Sequence, residues 1–347
     1  MGLEYKHKKE LCPIIEEKAD IPSMLEVAKD YLITEVGENE YHTLKTSANK
    51  EYLESVLLDY EKKGVKIVTF FSEDYPQAFN EVVCPPLVIY YKGDLSILDN
   101  ELFAIVGSRK SLTSSLAVAK NYTEELIAVG FTPVTGIAEG VDAEVLKTAI
   151  SSGGRAVSVI AGGLDHIYPA NHKSLVDKVC ENGLVISEYP PSIVPKHFNF
   201  PVRNRIIAGL AKGVLIASAG IKSGTMYTAE YAVDSGKDLF AIPYSVGVPS
   251  GAGCNELIKK GAILTDTPKD IIEFYGKTQQ TKKQTLTKEE KEIAHVLLDG
   301  ALHIDKICAQ LNKKVFEITP ILSILEIKGV VSKSANVYQL TTNDLEA

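Results

Sequence analysis

Three features of the 347-residue chain predict an α/β fold built on a doubly wound, mostly parallel sheet. Short runs of buried-type residues recur through the middle of the sequence, each run ends in a turn of small residues, and helical periodicity fills the intervals. The clearest run is Leu102 to Arg109, LFAIVGSR, where five apolar residues lead into Gly107, Ser108 and Arg109. A strand buried on both faces reads as a continuous apolar run, which is the mark of an inner parallel strand. The design repeats in TPVTGIAEG to Gly136, AVSVIAGGLD to Gly162 and Gly163, LVISEYPP to Pro190, GVLIASAGIKSGT to Thr225 and LFAIPYSVG to Gly247.

Taken in order, the first 64 residues read as helical, since MLEVAKDYLI and KEYLESVLLDYEKKG space their apolar residues three and four apart. VKIVTFF and CPPLVIYYKG then read as strands, with Pro85 and Pro86 at the entry of the second. SLTSSLAVAKNYTEELIAVG is a crossover helix stopped at Gly130. Strand and helix patterns alternate to about Gly276, giving right-handed crossovers. KTQQTKKQTLTKEE has no apolar periodicity and reads as a linker over 277–288. Residues 289–347 offer three helix-like segments and a two-stranded ribbon, a winged-helix pattern. Its candidate recognition segment, ITPILSILEIKG, has few cations to read DNA with.

A net charge of −8 argues against blanket affinity for nucleic acid, so a DNA site must be a local patch. Cys12, Cys84, Cys180, Cys254 and Cys308 are scattered, which favours reduced thiols in a cytoplasm. LEYKHKKEL is charged where a secretory leader would be apolar, and IIAGLAKGVLIASAGI is interrupted by Lys212 and too short to span a membrane. No cofactor signature is expected: SGAGCNE has Glu256 where a dinucleotide fingerprint needs its third glycine, and there is neither a Walker lysine nor a nucleophile elbow. His166 and His172 flank Pro169 at a spacing without metal-ligand logic.

What remains is a set of turns at strand carboxyl ends, the edge where open α/β sheets bind ligands. Gly107, Ser108 and Arg109, and again Ser223, Gly224 and Thr225, precede helices whose first amides can hold a phosphate. Arg203, Asn204 and Arg205 in FNFPVRNRIIAGL suit bidentate phosphate contact, and Lys237 adds a cation. The competing reading of glycines in such turns is conformational, since each also permits a tight bend. A second competing reading is a nucleotide-cleaving enzyme of the nucleosidase type, for which Glu230 is the nearby carboxylate, and a third is an interaction scaffold that binds no DNA.

GSR, TGIAEGVD, GGLDHIYPANHKSL, ISEYPP, FPVRNRIIAGLAKGVLIASA, SGTMYTAEYA and NELIKKGA, in this order, resemble the DprA/Smf family of DNA-processing proteins. With DYP at 74–76 and PPLVIYYKG at 85–93, the resemblance covers about residues 66–276. It implies an extended Rossmann-like domain over 65–276, a helical SAM-like region over 1–64 and a winged helix at the carboxyl end. It also implies a non-enzymatic, cytoplasmic protein that binds single-stranded DNA, protects incoming strands in natural transformation, loads the recombinase RecA and forms a homodimer. Leu257 and Ile258 are apolar candidates for that dimer surface. The chain departs from the family pattern at Glu139, which stands for an arginine, and at Leu146, Ser218 and Tyr244. Glu139 would repel a phosphate.

Overall fold

The structure, a computed structural model, describes residues 26–47, 50–277, 286–298, 300–327, 330–334 and 336–340. Most of the linker expected at 277–288 lies outside the described residues. The chain divides into two compact units, Met1–Gln279 and Gln280–Ala347.

In the larger unit, helices α1 (Lys29–Val36), α2 (Glu38–Ser47) and α3 (Lys50–Lys62) come first. Strands follow as β1 (Lys66–Thr69), β2 (Val88–Gly93), β3 (Leu102–Gly107), β4 (Thr132–Thr135), β5 (Val157–Val159), β6 (Leu184–Ser187), β7 (Gly213–Ser218), β8 (Asp238–Ala241) and β9 (Ile263–Leu264). They form one nine-stranded sheet in the order β1-β2-β6-β5-β4-β3-β7-β8-β9. From β6 to β9 every pairing is parallel, while β2 joins β6 and β1 joins β2 antiparallel. An α/β Rossmann-like sheet is therefore present, extended at one side by an antiparallel pair.

The crossover helices are α4 (Thr113–Ala128), α5 (Val141–Ser151), α6 (Lys173–Asn182), α7 (Asn199–Leu210), α8 (Thr225–Asp234), α9 (Ala252–Lys259) and α10 (Pro268–Phe274). Inner strands alternate their side chains between two cores, which explains why they are apolar throughout. Ala104, Val106, Val214 and Ile216 face Ile206, Ala229 and Leu257 from α7, α8 and α9. Phe103, Ile105 and Leu215 face Tyr122 and Leu126 of α4 and Ile271 of α10. Helix α4 stops where Gly130 takes a φ of 89°, a left-handed conformation open to glycine.

Chain direction reverses its crossover side once. From β3 the chain steps through β4, β5 and β6 on one side, then returns to place β7 on the other side of β3. The switch point thus lies between β3 and β7, and the loops after these strands flank it.

The smaller unit comprises α11 (Lys288–Val296), β10 (Leu302–His303), α12 (Ile304–Leu311), α13 (Val315–Ile327), β11 (Val331–Ser334) and β12 (Val337–Leu340). A capping box starts α11: Thr287 Oγ1 accepts from Glu290 N at 3.3 Å and Glu290 Oε2 accepts from Thr287 N at 2.8 Å. Its sheet has three strands in the order β10-β12-β11, one more than the ribbon the sequence suggests, because Leu302 and His303 pair with Tyr338 and Val337.

Candidate nucleic-acid interface

The loop after β3 is fastened to the last residue of β7. Ser108 N donates to Ser218 O at 2.9 Å and lies 3.1 Å from Ser218 Oγ, which is also 3.1 Å from Ser111 Oγ. Ser218, one of the departures from the family pattern, is therefore what fastens the loop after β3 to the end of β7. This corrects the expectation that the amide after Gly107 holds a phosphate: it is already occupied. Gly107 is required by packing, since a Cβ there would lie 2.5 Å from Val141 Cγ2.

Ser223, Gly224 and Thr225 also close on themselves. Ser223 Oγ accepts from Thr225 N at 3.2 Å and donates to Thr225 Oγ1 at 3.0 Å, and Met226 N donates to Ser223 O. The expected phosphate cradle is thus largely filled by the turn itself. Asn204 Nδ2 donates to Gly224 O at 3.3 Å, tying the middle of α7 to this turn.

Arg203 and Arg205 point inward. Arg203 is 5% exposed; its Nη1 donates to Val159 O, and its Nε donates to Asn204 Oδ1 at 3.1 Å. Burial lowers its pKa to about 10, with Asp142 opposing that fall. Asp142 is also buried; desolvation raises its carboxyl pKa, and Arg203 and the Ala138 amide pull the other way. Both groups crowd Gly136: a Cβ there would sit 2.4 Å from Asp142 Oδ2 and 2.8 Å from Arg203 Nη2. Gly136 is therefore glycine to admit a buried charge pair. Arg205 donates through Nη2 to both oxygens of Glu188, at 2.7 and 2.6 Å. The reading of Arg203 and Arg205 as free phosphate ligands is corrected: both guanidinium groups are buried, Arg205 ion-paired with Glu188 and Arg203 held on the Val159 carbonyl with Asp142 as its main charge influence.

Lys237 is corrected for a topological reason. It precedes β8, and the parallel pairing of Gly213 with Asp238 sets it at the amino end of the sheet, where it binds Glu81. It does not join the residues at the carboxyl edge. Leu257 is 8% exposed and packs in the core, so it offers no dimer surface; Leu264 on the edge strand β9 is 49% exposed. Glu230 is exposed on α8, beyond its first turn.

Arg109 is exposed, and its guanidinium lies 4.9 Å from the Phe200 ring centroid. Phe200 meets Tyr168 edge to face at 5.7 Å. A guanidinium from the loop after β3, a ring from the loop after β5 and the half-buried Phe200 ring from the first turn of α7 thus meet beside the switch point. Around it stand Lys110, Lys196 and Lys222, exposed and without an ion pair among the described residues, together with Phe198 at 64% exposure and Tyr168 at 55%. Sequence reading missed these lysines and aromatics; the signal available was their place just past strand ends, in SRK, KHFNF and IKS. The uncapped amino end of α4, with no acid in its first turn, adds a favourable dipole.

Glu139 is exposed on the loop whose Gly140, at φ 82°, lies so close to the Ser108 and Arg109 carbonyls that a Cβ would be 2.4 and 2.7 Å from their oxygens. Its carboxylate therefore shares the edge with Arg109. Leu146 is wholly buried in the core, and Tyr244 donates its hydroxyl to Ala217 O at 2.6 Å.

Residues 66–276 match the family described as DNA recombination-mediator protein A. The chain belongs to this family. It is 35% identical over 306 residues to Protein Smf of Escherichia coli, covering 83% of this chain and 81% of that protein. Against DNA processing protein DprA of Bacillus subtilis, identity is 35% over 222 residues, 64% of this chain and 75% of the relative. The solved structure of DprA from Streptococcus pneumoniae aligns with a TM-score of 0.61 at 29% identity, over 79% of this chain and 98% of that one. DprA from Helicobacter pylori, whose structure is described as showing a single-stranded DNA binding mode, aligns at TM-score 0.56 and 30% identity over 61% of this chain and 95% of its own. Among the described residues no helix is long and apolar enough to cross a membrane.

Proposed function

We propose that this DNA-processing family member binds single-stranded DNA along the carboxyl edge of its sheet, protects it there and passes it to RecA. The observation that carries the reading is the contact of exposed Arg109 and Tyr168 with half-buried Phe200 beside the switch point, together with Lys110, Lys196 and Lys222, exposed after β3, β6 and β7 and without acidic partners among the described residues. Cations follow a phosphodiester backbone and aromatic faces accept bases whatever their sequence, so the two together suit a single strand. A duplex hides its base faces. The named single-strand mode of the Helicobacter pylori relative supports the same substrate. Arg203 and Arg205 serve as the rigid wall beneath, held by Asp142 and Glu188.

Family resemblance supports a cytoplasmic homodimer formed through the larger unit, and the short edge strand β9 with its half-exposed Leu264 is the apolar surface available for it. Three helices and a small antiparallel sheet support a winged-helix reading of the smaller unit. No catalytic step is assigned.

Fluorescence anisotropy with a labelled oligonucleotide, single-stranded and as a duplex, across a salt series tests the proposal. Single strands are expected to bind tighter than duplex, with log affinity falling linearly in log salt at a slope of roughly −0.7 per phosphate contacted. Equal affinity for both forms, or release of free base from nucleotides, would replace this reading with another.

A further inference from the structure

Arg109 and Lys110 stand in a bend that hydroxyl groups close from within. Ser111 Oγ donates to Ser108 O at 2.6 Å, so its one proton is taken by a carbonyl, and towards Ser218 Oγ, 3.1 Å away, it can only accept. Ser218 Oγ is therefore the donor in that pair, and it accepts in turn from Ser108 N at 3.1 Å, an amide it shares with its own carbonyl at 2.9 Å. The ring runs from Ser218 Oγ through Ser111 Oγ to the carbonyl and amide of Ser108 and back. Each hydroxyl in it gives one proton and takes one.

Strand β7 supplies its side of the ring through a bulge. Val106 pairs with Ile216 but Gly107 pairs with Ser218, which leaves Ala217 as an extra residue. The slip sets Ser218 beside Gly107, where a Cβ on the glycine would lie 3.1 Å from Ser218 Oγ. Ser218 is wholly buried on an inner strand, so the bend hangs from the rigid part of the sheet. Gly140 packs against the Ser108 and Arg109 carbonyls as well. The two cations between these anchors are exposed, Lys110 without an ion pair among the described residues and the Arg109 guanidinium resting 4.9 Å from the Phe200 ring centroid.

We propose that Ser111 and Ser218 are positioning residues for single-strand binding: their ring fixes the bend that presents Arg109 and Lys110 to the backbone phosphates. The inference rests on the reading of this edge as the single-strand site. Cations on a loose loop have to be ordered when the strand arrives, and the lost freedom comes off the affinity. Here the bend is ordered on folding. The position needs a hydroxyl because that group donates and accepts at once; a carboxylate at 218 would only accept, and the ring would open.

Fluorescence anisotropy of a labelled single-stranded oligonucleotide with the full chain, across a salt series, tests this as a mutant cycle. Ser218→Ala and Ser111→Ala should each weaken binding by about 3- to 10-fold, with thermal unfolding and the salt slope unchanged, because the phosphates contacted stay the same. Together they should cost less than the product of the two, since either one opens the same ring. Ser111→Thr, which keeps the hydroxyl, should bind as the unaltered chain does. Arg109→Ala with Lys110→Ala should flatten the slope by about 1.4, and in that background Ser218→Ala should cost nothing more. A serine that merely holds the fold together would cost the same in both backgrounds. The inference is overturned if the two alanine variants bind as the unaltered chain does, if Ser111→Thr is as weak as Ser111→Ala, or if Ser218→Ala costs as much without the two cations as with them. If removing the two cations itself leaves binding and slope unchanged, the edge is not the DNA site, and the inference falls with that reading.

Discussion

Replacing Arg203 should damage the fold before it damages DNA binding. The side chain is 5% exposed, donates to Val159 O and Asn204 Oδ1, and is the cation that most favours the charged form of the buried Asp142 carboxylate. Arg203→Ala removes those hydrogen bonds and leaves Asp142 either charged without its main cation or protonated at a cost that grows with pH. Breaking a buried pair from one side costs about 3–5 kcal/mol. For a unit of this size that corresponds to roughly 6–20 °C in Tm. Asp142 fixes the direction of the pH dependence. Its folded pKa lies above its unfolded value because of burial, and losing Arg203 raises it further. The folded variant then binds more protons than the unfolded chain, so its stability falls as pH rises and its deficit shrinks as pH is lowered and the Asp142 carboxyl takes up its proton. Urea unfolding of the larger unit at several pH values measures this, and Arg203→Met combined with Asp142→Asn should recover at least half of the loss. If Arg203→Ala costs under about 1 kcal/mol, or the deficit does not depend on pH, the guanidinium does not hold Asp142 and the site has been misread.

Other perturbations separate wall from surface. Gly136→Ala should destabilise the larger unit by about 1–3 kcal/mol in thermal unfolding, because its Cβ has no room between Asp142 and Arg203. Lys237→Ala should leave single-strand affinity unchanged in anisotropy titrations, since it lies at the other edge with Glu81. Glu139→Arg should tighten single-strand binding and steepen the salt slope by about 0.7, because a repulsion next to Arg109 becomes a phosphate contact.

Much of the larger unit could be read from the chain because parallel strands buried on both faces leave an unmistakable apolar run, and each turn residue marks a strand end. Ser108 and Arg109 could be placed at the carboxyl edge of the sheet for that reason. The roles of Arg203 and Arg205 were hidden because a charged pair spaced two apart looks the same whether it faces solvent or a carboxylate. Asp142 lies some sixty residues earlier in the chain, and Glu188 comes from another strand end. Gly224 follows the same lesson: a glycine before a helix can leave room for an anion, yet here Ser223 occupies the helix amides. Lys237 was legible in hindsight, since a residue preceding a parallel strand cannot lie at its carboxyl end. The aromatic surface could not be foreseen, as Arg109, Tyr168 and Phe200 meet only through three separate crossovers.

Single-strand affinity of three surface variants, measured across salt beside the unaltered chain, tests the central claim most directly. Phe198 and Tyr168 are more than half exposed and Arg109 is exposed, so the folded unit should tolerate their loss, as unchanged thermal unfolding would verify. Losing one stacking platform costs about 1–3 kcal/mol per base, so Phe198→Ala or Tyr168→Ala should weaken binding by roughly 5- to 150-fold with the salt slope intact. Arg109→Ala should weaken binding and flatten the slope by about 0.7. Three folded variants that bind single strands as the unaltered chain does, with the same slope, would contradict the assignment of this edge to DNA.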